Sequence, residues 1–279
     1  MRDAFVKTIY EIIRDNPQAY LMIGDLGAFL LREVKKDFPE RFLNMGIAEA
    51  NMVSVAAGMA LEGKMPFVYS SNPFLSERSF EQIKDDVCYH NLNVKIVGVG
   101  AGVSYSIYGP THHSIEDLGG LRALPNLTIV CPADSQETVE ALRAVTKFVG
   151  PVYLRRAVVA PTLEVPDRPP FELGRARQLR AGFDATILAS GEVVKYSLQA
   201  AELLQSQGVQ VRVLDVHTLK PLDNETVVRA AQETKALVTV EEHNVIGGLG
   251  SAVAEVLAES NNIPKVPFAR LGFKDEFCL

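Results

Sequence analysis

Short apolar runs of strand length alternate with amphipathic helical segments along almost the whole chain, and this alternation leaves few architectures open. Phe5, Ile9, Ile12 and Ile13 recur at helical spacing, Pro17 interrupts, and Tyr20 to Ile23 form an apolar run closed by Gly24-Asp25. The same pattern predicts helices over 51–61, 79–89 and 135–148 and strands at 66–69, 94–99, 127–130 and 151–155, with Asp134 or Ser135 as N-cap of the last helix. Strands that alternate with helices pair in parallel and need cover on both faces, so the expectation is an α/β fold with mostly parallel sheets. Pro161, Pro166, Pro169 and Pro170 then crowd one stretch that disfavours helix and strand alike. Beyond it the rhythm restarts, with strands at 185–189, 211–215 and 236–241 and helices over 193–207, 224–233 and 251–260. The expected organisation is two α/β domains, 1–157 and 175–279, joined by a linker over 158–174.

A chain of 279 residues is long enough for two such domains. Its 28 basic and 34 acidic side chains leave a net charge of −6, which gives no general attraction to nucleic acid or anionic lipid. No apolar run approaches the roughly 18–20 residues that span a bilayer. The first residues mix acids with apolar side chains, as an ordinary helix does and a signal peptide does not. Cys88, Cys131 and Cys278 lie far apart without CxxC spacing, so neither a disulfide framework nor a zinc ribbon is expected and a reducing cytoplasm fits.

Few residues announce chemistry on their own. Glu49 enters a helix of small residues, where the macrodipole alone favours a carboxylate. Gly109-Pro110-Thr111-His112-His113 is a turn with two histidines, but adjacent side chains there diverge and no other ligand set has useful spacing, so a metal centre is a poor reading. His90, His217 and His243 read as surface or structural histidines. Gly247-Gly248-Leu249-Gly250-Ser251 precedes a helix as a phosphate loop would, yet it lacks the Lys-Ser/Thr ending; a tight turn with close helix packing is the better reading. Phe74 and Phe80 can stack on a ligand or fill the core.

Jointly these segments carry more. Arg41 to Glu49 with Asn51-Met52, Lys64-Met65-Pro66-Phe67, Ser79-Phe80-Glu81-Gln82-Ile83, Gly109-Pro110-Thr111-His112, Arg122-Ala123-Leu124-Pro125-Asn126 and Pro132-Ala133-Asp134 resemble, in order and spacing, the C-terminal half of transketolase. Behind the linker, His217-Thr218-Leu219-Lys220-Pro221-Leu222-Asp223 and Glu241 to Gly250 resemble that family's terminal domain. The resemblance implies a pyrimidine-binding domain followed by a transketolase C-terminal domain. The family's diphosphate-binding domain, with a Gly-Asp-Gly motif and a later asparagine that hold the metal, has no counterpart in the sequence. One subunit of a split enzyme is therefore expected. Its partner, an N-terminal transketolase subunit, would supply the diphosphate site and the Mg2+ (or Ca2+), in a heterotetramer with thiamine diphosphate at the interface.

The resemblance also assigns roles. A glutamate matching Glu49 hydrogen-bonds N1′ of the cofactor's aminopyrimidine and favours the imino tautomer, whose nitrogen removes the proton of thiazolium C2. Phe74 matches the aromatic residue that stacks on the pyrimidine, and Asp25, Leu26 and Arg78 match positions near the cofactor. His112 matches a histidine that contacts the donor sugar near C1 and stabilises charge on its oxygen. The implied reaction moves a two-carbon ketol unit from a ketose donor to an aldose acceptor.

The sequence departs from the family where sugar is read. The usual histidine at the position of Gly100, aspartate at Tyr108, serine at Phe29 and an arginine near Val158 are missing. Arg155 resembles an arginine that binds substrate anion in deoxyxylulose-phosphate synthases, so Tyr108 and Arg155 are expected to shape an altered pocket for a modified or differently charged sugar. The alternatives are deoxyxylulose-phosphate synthesis, the beta subunit of a 2-oxo acid dehydrogenase, and a non-catalytic regulatory paralogue. The Ala-Leu-Pro-Asn and His-Thr-Leu-Lys-Pro-Leu-Asp segments favour transketolase over the first two. The survival of Glu49, Phe74 and His112 speaks against the third.

Overall fold

The first helix, α1 (Arg2–Asp15), buries Phe5, Ile9, Ile12 and Ile13 on one stripe, as their spacing predicts. In the computed structural model, which describes residues 1–159, 162–261 and 264–278, α1 packs beside a sheet that begins with β1 (Ala19–Ile23), β2 (Phe42–Asn44), β3 (Met65–Ser71), β4 (Lys95–Val99), β5 (Thr128–Val130) and β6 (Val152–Arg156). These strands are parallel, in the order β5-β6-β4-β3-β1-β2. Every residue of β3, β4 and β6 is buried, which is why these segments read as nearly continuous apolar runs. The intervening helices are α2 (Arg32–Asp37), α3 (Glu49–Leu61), α4 (Asn72–Ser76), α5 (Phe80–Gln82), α6 (Asp117–Leu121) and α7 (Ser135–Lys147).

The helix expected over 79–89 changes register after its first turn. α5 runs into a π-helical segment, Ile83–Cys88, where Tyr89 N–H donates to the Lys84 carbonyl. The wider turn keeps Ile83, Val87 and Cys88 buried together. Of the two candidate N-caps of α7, Asp134 is the one used: its Oδ1 accepts the Glu137 N–H at 2.8 Å, while the Glu137 carboxylate accepts the Ala133 N–H at 2.6 Å.

The second domain contains β7 (Arg177–Arg180), β8 (Ala185–Ser190), α8 (Val193–Ser206), β9 (Val211–Asp215), β10 (Thr218–Lys220), α9 (Asn224–Glu233), β11 (Leu237–Asn244), α10 (Leu249–Glu259) and β12 (Phe268–Phe273). Five of these strands form a sheet in the order β12-β11-β8-β9-β7, parallel except for β7. β10 leaves its own domain and pairs antiparallel with β5, completing a seven-stranded first sheet. β2, β7, β10 and β12 all lie at sheet edges, and none was expected from the sequence: short or polar edge strands lack the apolar run that marks a central one.

The linker over 158–174 has neither helix nor strand among its described residues; Pro161 lies outside them. It is nonetheless pinned. Arg168, with a side chain only 5% exposed, reaches Asp134 at 3.0 Å, Glu137 at 3.3 Å and Asp215 at 3.5 Å, and Leu163 N–H donates to Asp134 Oδ2 at 3.2 Å. Burial, then the neighbouring charge of Glu137, pushes the Asp215 carboxyl well above the usual carboxylate range. Arg168→Met strands three buried acids with Arg177 as the remaining cation, so it should lower stability by about 3–5 kcal/mol and hasten proteolytic cleavage within 158–174; thermal melts and limited proteolysis check both.

Candidate active site

The carboxyl ends of β1, β3 and β4 lie side by side, the position at which parallel α/β sheets place their ligands. The segments that leave these strands line a cleft of about 750 Å³. Gly24 to Leu30 follow β1. Ser70 and Ser71 end β3, and Phe74 comes from α4. The loop after β4 adds Tyr105, Tyr108 and His112, and Ile47 and Glu49 come from the start of α3.

Glu49 is the buried acid of this cleft. It is the first residue of α3 and only 1% exposed. Its Oε1 accepts the Ser70 hydroxyl at 2.8 Å, and its Oε2 accepts Arg78 Nη1 at 2.6 Å. The Arg78 guanidinium lies 4.4 Å from the centre of the Phe74 ring, so one cation both balances Glu49 and braces the aromatic side chain. Both acceptor oxygens keep a further lone pair. On the segment after β1, Asp25 adopts a left-handed backbone with φ 64°. It exchanges two hydrogen bonds with Asn44, which clamps the ends of β1 and β2 together and leaves Leu26 on the cleft.

His112 sits among aromatic rings, 5.2 Å from Phe74 and 5.0 Å from Tyr108, with Nδ1 3.0 Å from the Thr111 hydroxyl. Its neighbour His113 points elsewhere and is buried, with Nε2 3.1 Å from the Ser106 carbonyl oxygen. Among the described residues no group of three His, Cys, Asp or Glu side chains converges as a metal site.

The structure thus brings Glu49, Asp25, Leu26, Phe74, Tyr108 and His112 to one cleft, with Arg78 behind Glu49. It does not bring Arg155 there, and the expectation that Arg155 shapes the donor pocket is corrected. Arg155 Nε donates to Asp117 at 2.8 Å, and Nη2 donates to the carbonyls of Ser114 at 2.6 Å and Glu242 at 3.0 Å. A guanidinium committed to a buried carboxylate cannot serve a substrate without leaving that carboxylate unpaired. Ser70 and Tyr105 were not singled out from the sequence. Ser70 was reachable through the rule that strand carboxyl ends carry sites; Tyr105 lacks a signal of that kind.

The other histidines are structural or exposed. His217 stacks on Phe171 at 4.1 Å, and burial, with Arg177 and Arg168 adding to it, pushes it down to about 3. His243 accepts the Gly119 N–H at 3.3 Å, and His90 is exposed. In the glycine-rich turn, the Glu241 carboxylate accepts the N–H groups of Leu249 at 2.6 Å and Gly250 at 2.8 Å. The start of α10 therefore holds an anion of its own, which fits a packed turn better than a phosphate loop.

The loop that carries Tyr105, Tyr108 and His112 is anchored from the second domain. Val103 N–H donates to Glu242 at 2.9 Å, and the Ser104 hydroxyl lies 3.4 Å from Glu192. Glu192 is pushed up to about 9 by burial first, then by its hydrogen bond with Glu242 and that neighbour's charge. Because this lies above the ordinary 4.5, the contribution to stability is complete below about pH 4.5 and is lost as pH rises towards about 9. Glu192→Gln should remove that slope. Its melting temperature should gain on the unsubstituted protein progressively between pH 5 and pH 9, by about 2–4 °C for each kcal/mol of relief, as thermal melts at several pH values can measure.

The chain belongs to the transketolase family: residues 1–157 match the transketolase pyrimidine-binding domain and residues 174–278 the transketolase C-terminal domain. Within that family it is a transketolase-type enzyme subunit, with the layout of the C-terminal chain of split transketolases. It is 40% identical over 278 residues to the corresponding subunit of the apulose-4-phosphate transketolase of Phocaeicola vulgatus, covering 99% of this chain and 88% of that protein. It is 41% identical over 279 residues to SqwH, a 6-deoxy-6-sulfo-D-fructose transketolase subunit of a Clostridium species, covering 99% and 85%. A solved split-gene transketolase, described as an inactive beta4 tetramer, superposes with a TM-score of 0.88 at 42% identity, over 98% of this chain and 89% of that one.

Proposed function

We propose that this chain is one half of a thiamine diphosphate-dependent ketol transferase, and that a second chain brings the diphosphate and metal site. One observation carries the reading: a buried carboxylate, Glu49, held by Ser70 and Arg78 at the edge of a largely apolar cleft with Phe74 beside it. This set suits an aminopyrimidine, since a carboxyl can meet a ring nitrogen while Phe74 and Leu26 offer apolar surface to the ring. Gly24 supports the fit: a Cβ there would stand 2.9 Å from Glu49 Oε1, so the bare backbone keeps the approach to the acid open.

When bound, thiamine diphosphate would supply a carbon acid able to serve as nucleophile toward a ketose carbonyl and as carrier of the two-carbon unit. The chain's own residues serve that chemistry. Glu49 hydrogen-bonds the pyrimidine nitrogen and holds the proton there, with Ser70 and Arg78 fixing the carboxyl group's orientation. Phe74 and Leu26 exclude water from the ring, and Asp25 keeps the strand end that presents Leu26 in place. His112 reaches the substrate oxygen on which charge develops, and Tyr108 lines the sugar side of the cleft.

Mg2+ (or Ca2+) and the diphosphate would be held mainly by the partner, an N-terminal transketolase subunit, in a heterotetramer. Support comes from the rim of the cleft, where Leu26, Phe29, Ile47 and Tyr108 stand exposed as a partner would require. The inactive beta4 assembly of the split-gene relative points the same way. The relatives' substrates, a phosphorylated and a sulfonated ketose, support a sugar donor with an anionic far end. Free Cys88, Cys131 and Cys278 fit a cytoplasmic setting, and among the described residues no helix is long and apolar enough to cross a membrane.

Glu49→Gln tests the reading in the complex co-purified with its partner. Turnover should fall by about 10²- to 10⁴-fold while the melting temperature stays close to that of the unsubstituted complex. A variant that keeps its activity refutes the assignment. Turnover of pyruvate in place of ketose cleavage would move the chain to the synthase alternative.

A further inference from the structure

Gly100 and Tyr105 occupy one space between them. Gly100 has φ 92°, and a Cβ built on it would lie 2.2 Å from Cε2 and 2.4 Å from Cδ2 of the Tyr105 ring. The ring therefore fills the volume that a side chain at position 100 would take, and it does so on the cleft. Its setting is firm: it meets Tyr108 at 5.9 Å and His112 at 6.0 Å, both edge-on, and the backbone carbonyl of Tyr105 accepts the Tyr108 N–H at 2.9 Å.

The hydroxyl at the end of this ring is left over. The phenols of Tyr10, Tyr69 and Tyr153 each meet a polar side chain, Asp37, Arg156 and Asp117 respectively. Among the described residues the Tyr105 phenol has no hydrogen-bond partner. Its oxygen is not among the buried atoms left without a partner, so it stays open to solvent and can exchange a water for a ligand oxygen.

We infer that Tyr105 is a substrate-reading residue, whose phenol donates a hydrogen bond to a sugar oxygen beyond the transferred two-carbon unit. The inference rests on the ketol-transfer reading of the same cleft. Burial, with Tyr69 nearby, pushes the phenol up to about 12, so it remains a protonated donor at working pH. Arg156 acts in the opposite sense and polarises the O–H. That guanidinium is 1% exposed, lies 5.5 Å from the centre of the Tyr69 ring and 4.7 Å from that of Phe5, and has no carboxylate partner among the described residues. Tyr105 thus lines the cleft within electrostatic reach of an uncompensated cation, which favours an electron-rich oxygen as its acceptor.

Tyr105→Phe removes one oxygen and keeps the ring that fills the space beside Gly100. The co-purified two-chain complex is assayed with D-xylulose 5-phosphate and with hydroxypyruvate, a donor of the same two-carbon unit that carries no hydroxyl beyond it. The ratio of kcat/KM for the ketose to that for hydroxypyruvate should fall by about 10- to 100-fold, with the larger change in KM. A ratio within twofold of the unsubstituted complex overturns the role. So does a parallel loss on both donors with a lowered melting temperature, which marks a packing residue. Failure of the unsubstituted complex to use either donor sinks the ketol-transfer reading itself, and the role of Tyr105 with it.

Discussion

Asp117 is a carboxylate sealed from water, and the groups that compensate it hold the cleft and the second domain together. Burial pushes its carboxyl up, and Arg155, His243 and Tyr153 more than offset that, leaving it below the usual carboxylate range. Each of these groups leads elsewhere. The Tyr153 hydroxyl stands 2.8 Å from Asp117 and 2.9 Å from Asn72, the first residue of the helix that presents Phe74. Arg155 binds the carbonyl of Ser114, at the end of the cleft loop, and that of Glu242 on β11. His243 meets α6 through Gly119. A buried charge without its partners is costly, so these elements keep their relative places wherever Asp117 stays paired.

The cleft follows from the same economy. Three adjacent parallel strands deliver their carboxyl ends to one side, and small or turn-forming residues there let the backbone open. Glu49 is tolerated at 1% exposure because Ser70 and Arg78 satisfy it. Arg78 is itself half exposed and rests on Phe74, so the acid, the cation and the aromatic ring form one unit. Tyr105, Tyr108 and His112 line the cleft beside Phe74 on a loop gripped by Glu242 and Glu192, which makes the second domain a support for that wall of the cleft.

The sequence made the central architecture readable because each central strand holds a short apolar run. The runs that became β1, β3, β4, β5, β6, β8, β9 and β11 could be placed to within a few residues. β7, with Arg-Gln-Leu-Arg, and β10, with Thr-Leu-Lys, could not, since their pairing is decided by neighbours distant in the chain. Periodicity predicts that Ile83 to Cys88 are helical but not that the helix widens there. Within the candidate site, Glu49 and His112 were legible as parts of extended motifs, and Phe74 through its match to an aromatic position between them. Arg155 was misread because a motif names a residue and not the direction of its side chain: on the same buried strand, Arg155 turns to Asp117 while Arg156 turns to Tyr69.

β10 gives the molecule a woven boundary. A strand that belongs by sequence to the second domain closes the edge of the first sheet, with Thr218 opposite Val130, and Lys220 reaches on to the carbonyl of Arg122 at 2.9 Å. Cutting the chain at the linker would therefore not yield two intact pieces. The first would expose the unpaired backbone of β5, an invitation to pair with a stranger. Shuffling of this terminal module among enzymes must carry that strand and its docking edge along as a matched set.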